Sequence, residues 1–579
     1  MQLTRRELLE AGLLAAATTA STFWVNDAAA APEPAKYRDM FPELDRYVEQ
    51  YMRDMNSPGM TLVLADREGV QRVATYGFSD LERQRKLRAD ELFQIGSITK
   101  SFIAIVLLQL REEGKLDLDK PILDYLPWLR IQSAFAPITT HHLLTHTSGL
   151  SAAWEVFLSD PSQRHMAAYA PGEQFYYNNL AYAVLGHLAW TLDGRELPEL
   201  FRERIFKPLG MSHSEPVIDF DVRERMASNY APFLSDRPYA RHARLCEAPA
   251  IVLTTAAGCI AAPAQDMGAY VRMIASRGRG PGGNLMSPES FELFAKRHIK
   301  AKDFGPTASY GYGIVVEELD GNTMLRHTGG MVSFMSSMAI DIDAGVGAFA
   351  SINAQQEYRP TPVVKYAVQL MRSRIEGRPA PAAPEPDVAT IVANAADYVG
   401  VFVGPGGRLE FVREGERLFL LHEGRRLALE RLTEDDQFYV AEARFARFAL
   451  VFGRKPSNDG EESEGAKGPV VEVSWGDAWY TGSTYEGPRE FDVPDQWRSF
   501  VGHYRNENPW VGSVRVVILK GKLMLSLSYG LIPLEADGEL FRLRDDPVNT
   551  DWVRFGEIVN GKCMRLKYSG EDLWRVASA

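Results

Sequence analysis

The chain has 579 residues and a net charge of -12, with 45% hydrophobic and 24% charged residues. This length is too great for a single hydrophobic core, so we expect roughly two to four domains of ordinary soluble composition. The negative charge argues against a nucleic-acid partner, because phosphates would be repelled. Since no zinc-type cysteine spacing and no nucleotide-binding fingerprint occurs, we expect neither a metal nor a cofactor.

The first 31 residues have the pattern of an export signal. Arg5 and Arg6 precede an apolar, alanine-rich stretch that ends in four alanines at residues 28–31, which are typical of a signal-peptidase site. The stretch is shorter than the about 20 residues that a membrane span needs. We predict a twin-arginine signal peptide over residues 1–31, a periplasmic or secreted bacterial protein, and no stable membrane span after signal removal. An uncleaved cytosolic N-terminus is the alternative.

The three cysteines do not suggest a disulfide framework. Cys246, Cys259 and Cys563 are odd in number, widely separated and set among apolar residues. We interpret them as small buried hydrophobic side chains and not as nucleophiles.

Hydrophobic patterning divides the rest of the chain. Residues 36–375 alternate helical and strand patterns, which predicts one mixed α/β domain. The proline-rich residues 376–388 predict a semi-rigid linker. Short alternating strands follow, which predict two small all-β units, barrels or sandwiches, at residues 389–492 and 493–579.

A weak internal repeat supports the division of the tail into two units. The segment at 398–402 matches that at 500–504, and the segment at 448–453 matches that at 552–556, in the same order and at similar spacing.

The strongest chemical signal is a serine and a lysine at the start of an apolar segment. Ser97 and Lys100 precede residues 103–110, which are almost wholly apolar, so both would lie on one face of a buried helix near its N-terminus. A serine hydroxyl becomes a good nucleophile when a nearby base takes its proton, and a buried lysine can act as that base. The alternative is a surface pair on an ordinary helix, because this spacing arises by chance about once or twice in such a chain.

Two further patterns favour an active site. Tyr177 and Asn179 form Tyr-x-Asn, in which a phenol beside a lysine can shuttle a proton and an amide can hold a substrate. Residues 327–330 read His-Thr-Gly-Gly between two strand-like segments, where a main-chain N–H could join that of Ser97 in an oxyanion hole. A turn is the alternative for each pattern, and it is favoured for Tyr-x-Asn taken alone; all three motifs in this order favour a catalytic site.

With these motifs the chain resembles the serine β-lactamase and penicillin-binding-protein superfamily over about residues 40–375. The stretches at 113–121, 143–150, 182–186 and 310–313 extend the resemblance to the branch of class C β-lactamases, D-aminopeptidases, DD-peptidases and esterases. The resemblance implies an α/β (α+β) domain, with an antiparallel sheet flanked by helices beside an all-helical region. The tail resembles the two C-terminal barrels of D-aminopeptidase-type enzymes.

The resemblance also implies roles for particular residues. Ser97 would be the nucleophile, Lys100 and Tyr177 would share the base role, and Asn179 would position the substrate. The remaining positions are expected on a substrate-binding sheet edge, with the N–H groups of Ser97 and Gly330 forming the oxyanion hole: His327, Thr328, Gly329 and Gly330. His327 replaces the lysine usual in β-lactamases, which favours D-aminopeptidases and esterases. His146 would lie in a structural turn.

We therefore expect an exported serine hydrolase that forms an acyl-serine intermediate on amides or peptides, such as those with D-residues. A carboxylesterase is the first alternative, and a penicillin-binding sensor or weak β-lactamase with little turnover is the second. The substrate would be a small molecule or short peptide. The stretch at 475–482 is a candidate for a loop that narrows the site, although a core or turn role is favoured. Oligomeric state is left open.

Overall fold

The computed structural model describes residues 26–27, 36–150, 164–233, 236–238, 241, 243–355, 360–432, 435–455, 468–510, 512–527, 530–544, 549 and 551–577. Apart from Asn26–Asp27, the predicted signal peptide lies outside these residues. No helix within the described ranges is long and apolar enough to cross a membrane.

The first part of the chain mixes helices with an extended sheet. Its helices are α1 (Phe41–Asp54), α2 (Thr99–Glu112), α3 (Ile122–Tyr125), α4 (Thr140–Leu144), α5 (Asn179–Asp193), α6 (Leu197–Phe201), α7 (Lys207–Leu209), α8 (Ala264–Ala275), α9 (Pro288–Ala295) and α10 (Thr361–Ile375). Its strands are β1 (Asn26–Asp27), β2 (Gly59–Asp66), β3 (Val70–Asp80), β4 (Arg85–Lys86), β5 (Phe93–Gln94), β6 (Arg130–Gln132), β7 (Arg164–Met166), β8 (Tyr230–Pro232), β9 (Leu245–Glu247), β10 (Ala261–Ala262), β11 (Arg279–Gly280), β12 (Gly283–Asn284), β13 (Ile299–Lys300), β14 (Ser309–Tyr310), β15 (Val315–Leu319), β16 (Asn322–Gly330), β17 (Met335–Asp341) and β18 (Val346–Ile352).

The main sheet is antiparallel, in the order β1-β3-β2-β18-β17-β16-β15-β14-β13. Helices cover both of its faces, so central strands such as β2 are buried at every residue. Along β2, Leu62 and Leu64 pack with α1 and α10, whereas Val63 and Ala65 pack in the cluster that contains α8. This alternation follows from the two-residue period of a strand.

Helix α2 lies at the centre of the helical region beside the sheet. Nearly all of its residues are buried, and it packs against α5 and α6. The expectation of a helix apolar on all sides is therefore confirmed, as is the α/β (α+β) fold class.

The tail forms two closed eight-stranded barrels. The first contains β19 (Gly400–Gly404), β20 (Gly407–Glu414), β21 (Arg417–His422), β22 (Arg425–Arg431), β23 (Gln437–Val440), β24 (Leu450–Arg454), β25 (Val470–Trp475) and β26 (Ala478–Thr481). After the helix α11 (Asp495–Phe500), the second contains β27 (Gly502–Arg505), β28 (Ser513–Leu519), β29 (Lys522–Leu527), β30 (Gly530–Asp537), β31 (Leu540–Leu543), β32 (Trp552–Val559), β33 (Lys562–Tyr568) and β34 (Glu571–Val576). The prediction of two small all-β units is confirmed, while their exact boundaries stay predictions.

The internal repeat falls on equivalent strands of the two barrels. The matched segments at 398–402 and 500–504 lead into β19 and β27, the first strand of each barrel. Those at 448–453 and 552–556 lie on β24 and β32, the sixth strands.

Contacts among the described residues tie the barrels to the rest of the chain. Asp387 accepts hydrogen bonds from Arg241 of the α/β region and from Arg431 of the first barrel. Arg515 of the second barrel pairs with Asp236. Trp510, in the loop between β27 and β28, packs against the main hydrophobic cluster of the α/β region. The second barrel therefore contacts that region directly.

The stretch at 475–482 has the turn role that the sequence favoured over a loop at the site, because it contains the turn of the hairpin of β25 and β26, where the indole of Trp475 donates to the carbonyl of Phe445 at 2.9 Å. One expectation from the sequence needs correction. Cys246 is half-buried on the short strand β9, so it is not a core residue, whereas Cys259 and Cys563 are buried as expected.

Candidate active site

Ser97 lies in a single 3₁₀ turn, Gly96–Ile98, that leads directly into α2. Its side chain is half-exposed, whereas Lys100, one turn later, has no exposed surface. The sequence predicted that a helix begins near Ser97, and the structure places Ser97 in the 3₁₀ turn immediately before that helix. The turn presents the hydroxyl to solvent while the lysine approaches it from the protein interior.

The amine of Lys100 has three oxygen neighbours. Its Nζ lies 3.0 Å from Ser97 Oγ, 2.7 Å from Asn179 Oδ1 and 2.8 Å from the carbonyl oxygen of Ala257. Sequence reasoning found the first two partners but not the third, because a backbone carbonyl has no side-chain signature.

Two aromatic rings also pack near the amine of Lys100. Lys100 Nζ lies 4.9 Å from the centre of the Tyr177 ring and 5.4 Å from that of Tyr182. Asn178 caps α5 by accepting the N–H of Ala181, which places Tyr177 just before the helix and Asn179 at its first residue. The structure thus brings Lys100, Tyr177 and Asn179 together as the sequence predicted.

Strand β16 passes beside the nucleophile turn and extends beyond its neighbour β15. The pairing with β15 reaches only Arg326, so residues 327–330 are paired on the β17 side alone. The N–H of Met331 bonds to the carbonyl of Phe334. Since bonded and non-bonded pairs alternate in an antiparallel ladder, Gly330 opposite Met335 is non-bonded, and its N–H points away from β17 toward the open edge.

Two glycines allow this edge to approach the turn. Gly96 has φ of +54°, and a Cβ there would lie 3.1 Å from the amide nitrogen of Gly330. A Cβ on Gly329 would lie 1.9 Å from the carbonyl oxygen of Ile95, which is a clash. Only glycine permits this spacing.

His327 is buried and held by two contacts. Its Nε2 lies 2.9 Å from the hydroxyl of Tyr310, and its Nδ1 lies 2.7 Å from the carbonyl oxygen of Thr328. The neighbouring Arg326 forms an ion pair with Glu317 at 2.9 Å. Tyr310 was part of a motif in the sequence, but its contact with His327 depends on the sheet and could not be read from the motif.

His146 adopts the turn expected from the sequence and also lines the site. It has φ of +57°, and its Nδ1 accepts the N–H of Asn178 at 2.9 Å. Its ring centre lies 4.4 Å from that of Tyr177 and 4.9 Å from those of Tyr182 and Tyr310. Complete burial, with Lys100 nearby, holds the pKa of His146 well below its usual value, so it is neutral.

Comparisons with known proteins show the family of the α/β region. The family model described as Beta-lactamase matches residues 44–373. Esterase EstB of Burkholderia gladioli is 31% identical over 194 residues, which are 29% of this chain and 49% of that protein. The D-alanyl-D-alanine-carboxypeptidase/endopeptidase AmpH of Escherichia coli is 31% identical over 224 residues, 36% of this chain and 56% of that protein. The chain thus spans about half the length of these curated relatives.

A solved structure shows the same fold. The octameric penicillin-binding protein homologue from Pyrococcus abyssi superimposes with a TM-score of 0.53 at 21% identity, covering 76% of this chain and 99% of that one.

The α/β fold, with a buried lysine beside a serine at the head of its central helix, defines the class as that of the serine hydrolases with a Ser-x-x-Lys motif. Because the family model covers more than half of its residues, the chain belongs to the Beta-lactamase family.

Proposed function

We propose that the protein is an exported hydrolase in which substrates acylate Ser97 and water then releases the acyl group. The observation that carries the proposal is the 3.0 Å contact between Ser97 Oγ and the fully buried Nζ of Lys100. A serine with a base within hydrogen-bond reach is an activated nucleophile.

The surroundings of Lys100 would orient it as that base. A neutral amine has two N–H bonds and one lone pair. Asn179 Oδ1 and the Ala257 carbonyl can only accept, so they take the two N–H bonds. The lone pair then faces Ser97 Oγ, which donates its proton. Complete burial also removes the water that would otherwise stabilise a charged ammonium.

Tyr177 would pass this proton to the leaving group. The centre of its ring lies 4.9 Å from Lys100 Nζ. A cation beside the ring stabilises the phenolate, so proton exchange between the two groups becomes easier. In this role Lys100 and Tyr177 act as one unit.

The oxyanion of the tetrahedral intermediate would be bound by the N–H groups of Ser97 and Gly330. The ladder alternation that turns the Gly330 N–H toward the open edge supports this assignment. Thr328 and Gly329 on the same edge, with Asn179 opposite, would bind the acyl donor.

For the substrate we propose a small amide or short peptide, such as one with D-residues, and a carboxylic ester as the second candidate. His327 favours the ester candidate, because its two ring nitrogens are already engaged by Tyr310 and Thr328 and it offers no fixed cation for a substrate carboxylate. The esterase among the relatives agrees with it.

The test is covalent labelling combined with a substrate panel. The purified mature protein is incubated with a fluorescent fluorophosphonate and then assayed on short aryl esters, D- and L-aminoacyl anilides and a chromogenic cephalosporin. Ser97→Ala should abolish labelling and lower turnover by about 10⁴–10⁶-fold with the circular dichroism spectrum retained. Ser101→Ala, one turn further along α2, is the matched control and should still be labelled. Labelling that survives in Ser97→Ala would overturn the proposal.

We also propose export by the twin-arginine route, on the basis of Arg5 and Arg6. Replacing both with lysine should leave the precursor in the cytoplasm, as measured by cell fractionation. Unchanged export would contradict this route.

A further inference from the structure

The two contacts of His327 fix which of its nitrogens carries a proton. The carbonyl oxygen of Thr328, 2.7 Å from Nδ1, can only accept a hydrogen bond, so Nδ1 carries the hydrogen. In a neutral imidazole the other nitrogen, Nε2, is then an acceptor.

Tyr310 is well placed to satisfy that acceptor. Its hydroxyl lies 2.9 Å from Nε2, and the residue has no exposed surface. Burial raises the pKa of the Tyr310 phenol well above its usual value, so the hydroxyl keeps its proton and donates it. The hydroxyl therefore has a proton to donate to Nε2 across the physiological range.

The other titratable groups around His327 do not favour a positive charge there. Arg326, on the same strand, is a cation paired with Glu317, and the ring centre of Tyr177 lies 6.4 Å from that of His327. Burial, with Lys100 nearby, holds the pKa of His146 well below its usual value, so His146 stays neutral. A proton on Nε2 would face the Tyr310 hydroxyl and would be repelled by Lys100 once the lysine has taken the serine proton.

We propose that Tyr310 is a specificity-determining positioning residue that holds His327 as the neutral Nδ1–H tautomer. Through that tautomer it adapts the site to acyl donors without a carboxylate at this position. The inference rests on the proposed function, because it assumes that residues 327–330 bind the acyl donor. The substrate class that follows is acyl donors with no charge on the part that faces His327.

Removing the Tyr310 hydroxyl should remove its hydrogen bond to Nε2 of His327. In Tyr310→Phe the imidazole can accept a proton as the pH falls, and the resulting cation can bind a carboxylate. We measure kcat/KM for two matched esters, mono-4-nitrophenyl succinate and its methyl ester. Between pH 8 and pH 5.5 the ratio of acid to methyl ester should rise about tenfold in Tyr310→Phe and change little in the parent.

Two variants separate this effect from a structural one. Tyr270→Phe removes another fully buried hydroxyl, which bonds to Ser101 Oγ at 2.7 Å, and should leave the ratio unchanged. Tyr310→Phe combined with His327→Gln should lose the pH-dependent rise. A ratio that is equal in Tyr310→Phe and the parent at both pH values, or a rise that persists without His327, would overturn the proposal.

A measurement independent of activity keeps this inference separate from the proposed function. Nitrogen-15 NMR of histidine-labelled protein, with His327→Gln to assign the signal, should show the Nδ1–H tautomer at pH 7 in the parent. An Nε2–H tautomer or an imidazolium would contradict the inference even if Ser97 is labelled. If Ser97 is not labelled and the tautomer is as stated, the proposed function fails instead.

Discussion

Gly96 and Gly329 meet backbone to backbone where the nucleophile turn touches strand β16. A Cβ on Gly96 would lie 3.1 Å from the Cα of Gly329, and one on Gly329 would lie 3.3 Å from the Cα of Gly96. This contact sets the distance between the N–H of Ser97 and that of Gly330, the two donors of the proposed oxyanion hole.

Enlarging the second glycine should separate those donors. Gly329→Ala places a methyl group 1.9 Å from the carbonyl oxygen of Ile95, so the strand must move away from the turn. We expect kcat for a short aryl ester to fall about 10²–10³-fold, the usual effect of losing one oxyanion donor. Gly114→Ala, where φ is +73° and no atom lies within 4 Å of the added methyl group, is the control and should keep its activity. Full activity in Gly329→Ala would show that this contact is not needed.

The proposed proton pair should behave as one unit. Lys100→Ala and Tyr177→Phe should each lower kcat/KM about a thousandfold, and the double variant should be little worse than either. Rapid-mixing measurement of the acylation burst should show that the loss of rate lies in the acylation of Ser97. Lys115→Ala, which removes an exposed lysine paired with Glu113, is the control. Losses that multiply in the double variant would mean that the two residues act independently.

Stability should fall in mild acid because the folded protein holds the half-buried His298 neutral. Burial lowers the pKa of His298 to about 4, so below pH 6.5 the unfolded chain binds a proton that the folded protein does not. The stabilisation is therefore present above pH 6.5 and is lost as the pH falls toward 4. His298→Gln should reduce the loss of unfolding free energy between pH 7 and pH 5 by about 1–2 kcal/mol.

Urea unfolding at the two pH values measures this difference. His213→Gln is the control, because the side chain of His213 is 66% exposed. An equal pH dependence in His298→Gln and the parent would contradict the assignment.

The contact of the second barrel with the α/β region should be measurable as stability. Trp510→Ala removes an indole that packs against the hydrophobic cluster of that region, and we expect a loss of about 1–3 kcal/mol. Trp574→Ala, from β34 of the same barrel and 49% exposed, should change stability by less than about 0.5 kcal/mol. Equal effects of the two substitutions on urea unfolding would exclude this role for Trp510.

The sequence predicts those parts of the site whose geometry is set by residues close together in the chain. Ser97 and Lys100 are one turn apart, and Asn178 caps the helix that presents Asn179, so local geometry brings these side chains together. Likewise, alternating patterns and an internal repeat were enough to predict two small β units. The contacts of Ala257 and Tyr310 were not predictable, because the first uses a backbone carbonyl and the second depends on which strands neighbour each other in the sheet.

The exact place of the 475–482 hairpin and the exposure of Cys246 also depend on tertiary contacts that the local sequence does not show. Whether a short polar-aromatic stretch is an exposed loop or part of a barrel wall is decided by its partner strands, and β25 pairs with both β24 and β26 in the closed barrel. The burial of a lone cysteine is likewise set by what packs on it and not by its neighbours along the chain.

The link from Trp510 and Arg515 to the α/β region has a consequence for biosynthesis. Because domains fold in order as the chain leaves the ribosome, the α/β region emerges long before the residues that cover part of its surface and pair with Asp236. A chain that stops after the first barrel would keep that apolar patch open to water. The last barrel therefore covers this part of the α/β region only after its own strands have been synthesised and folded.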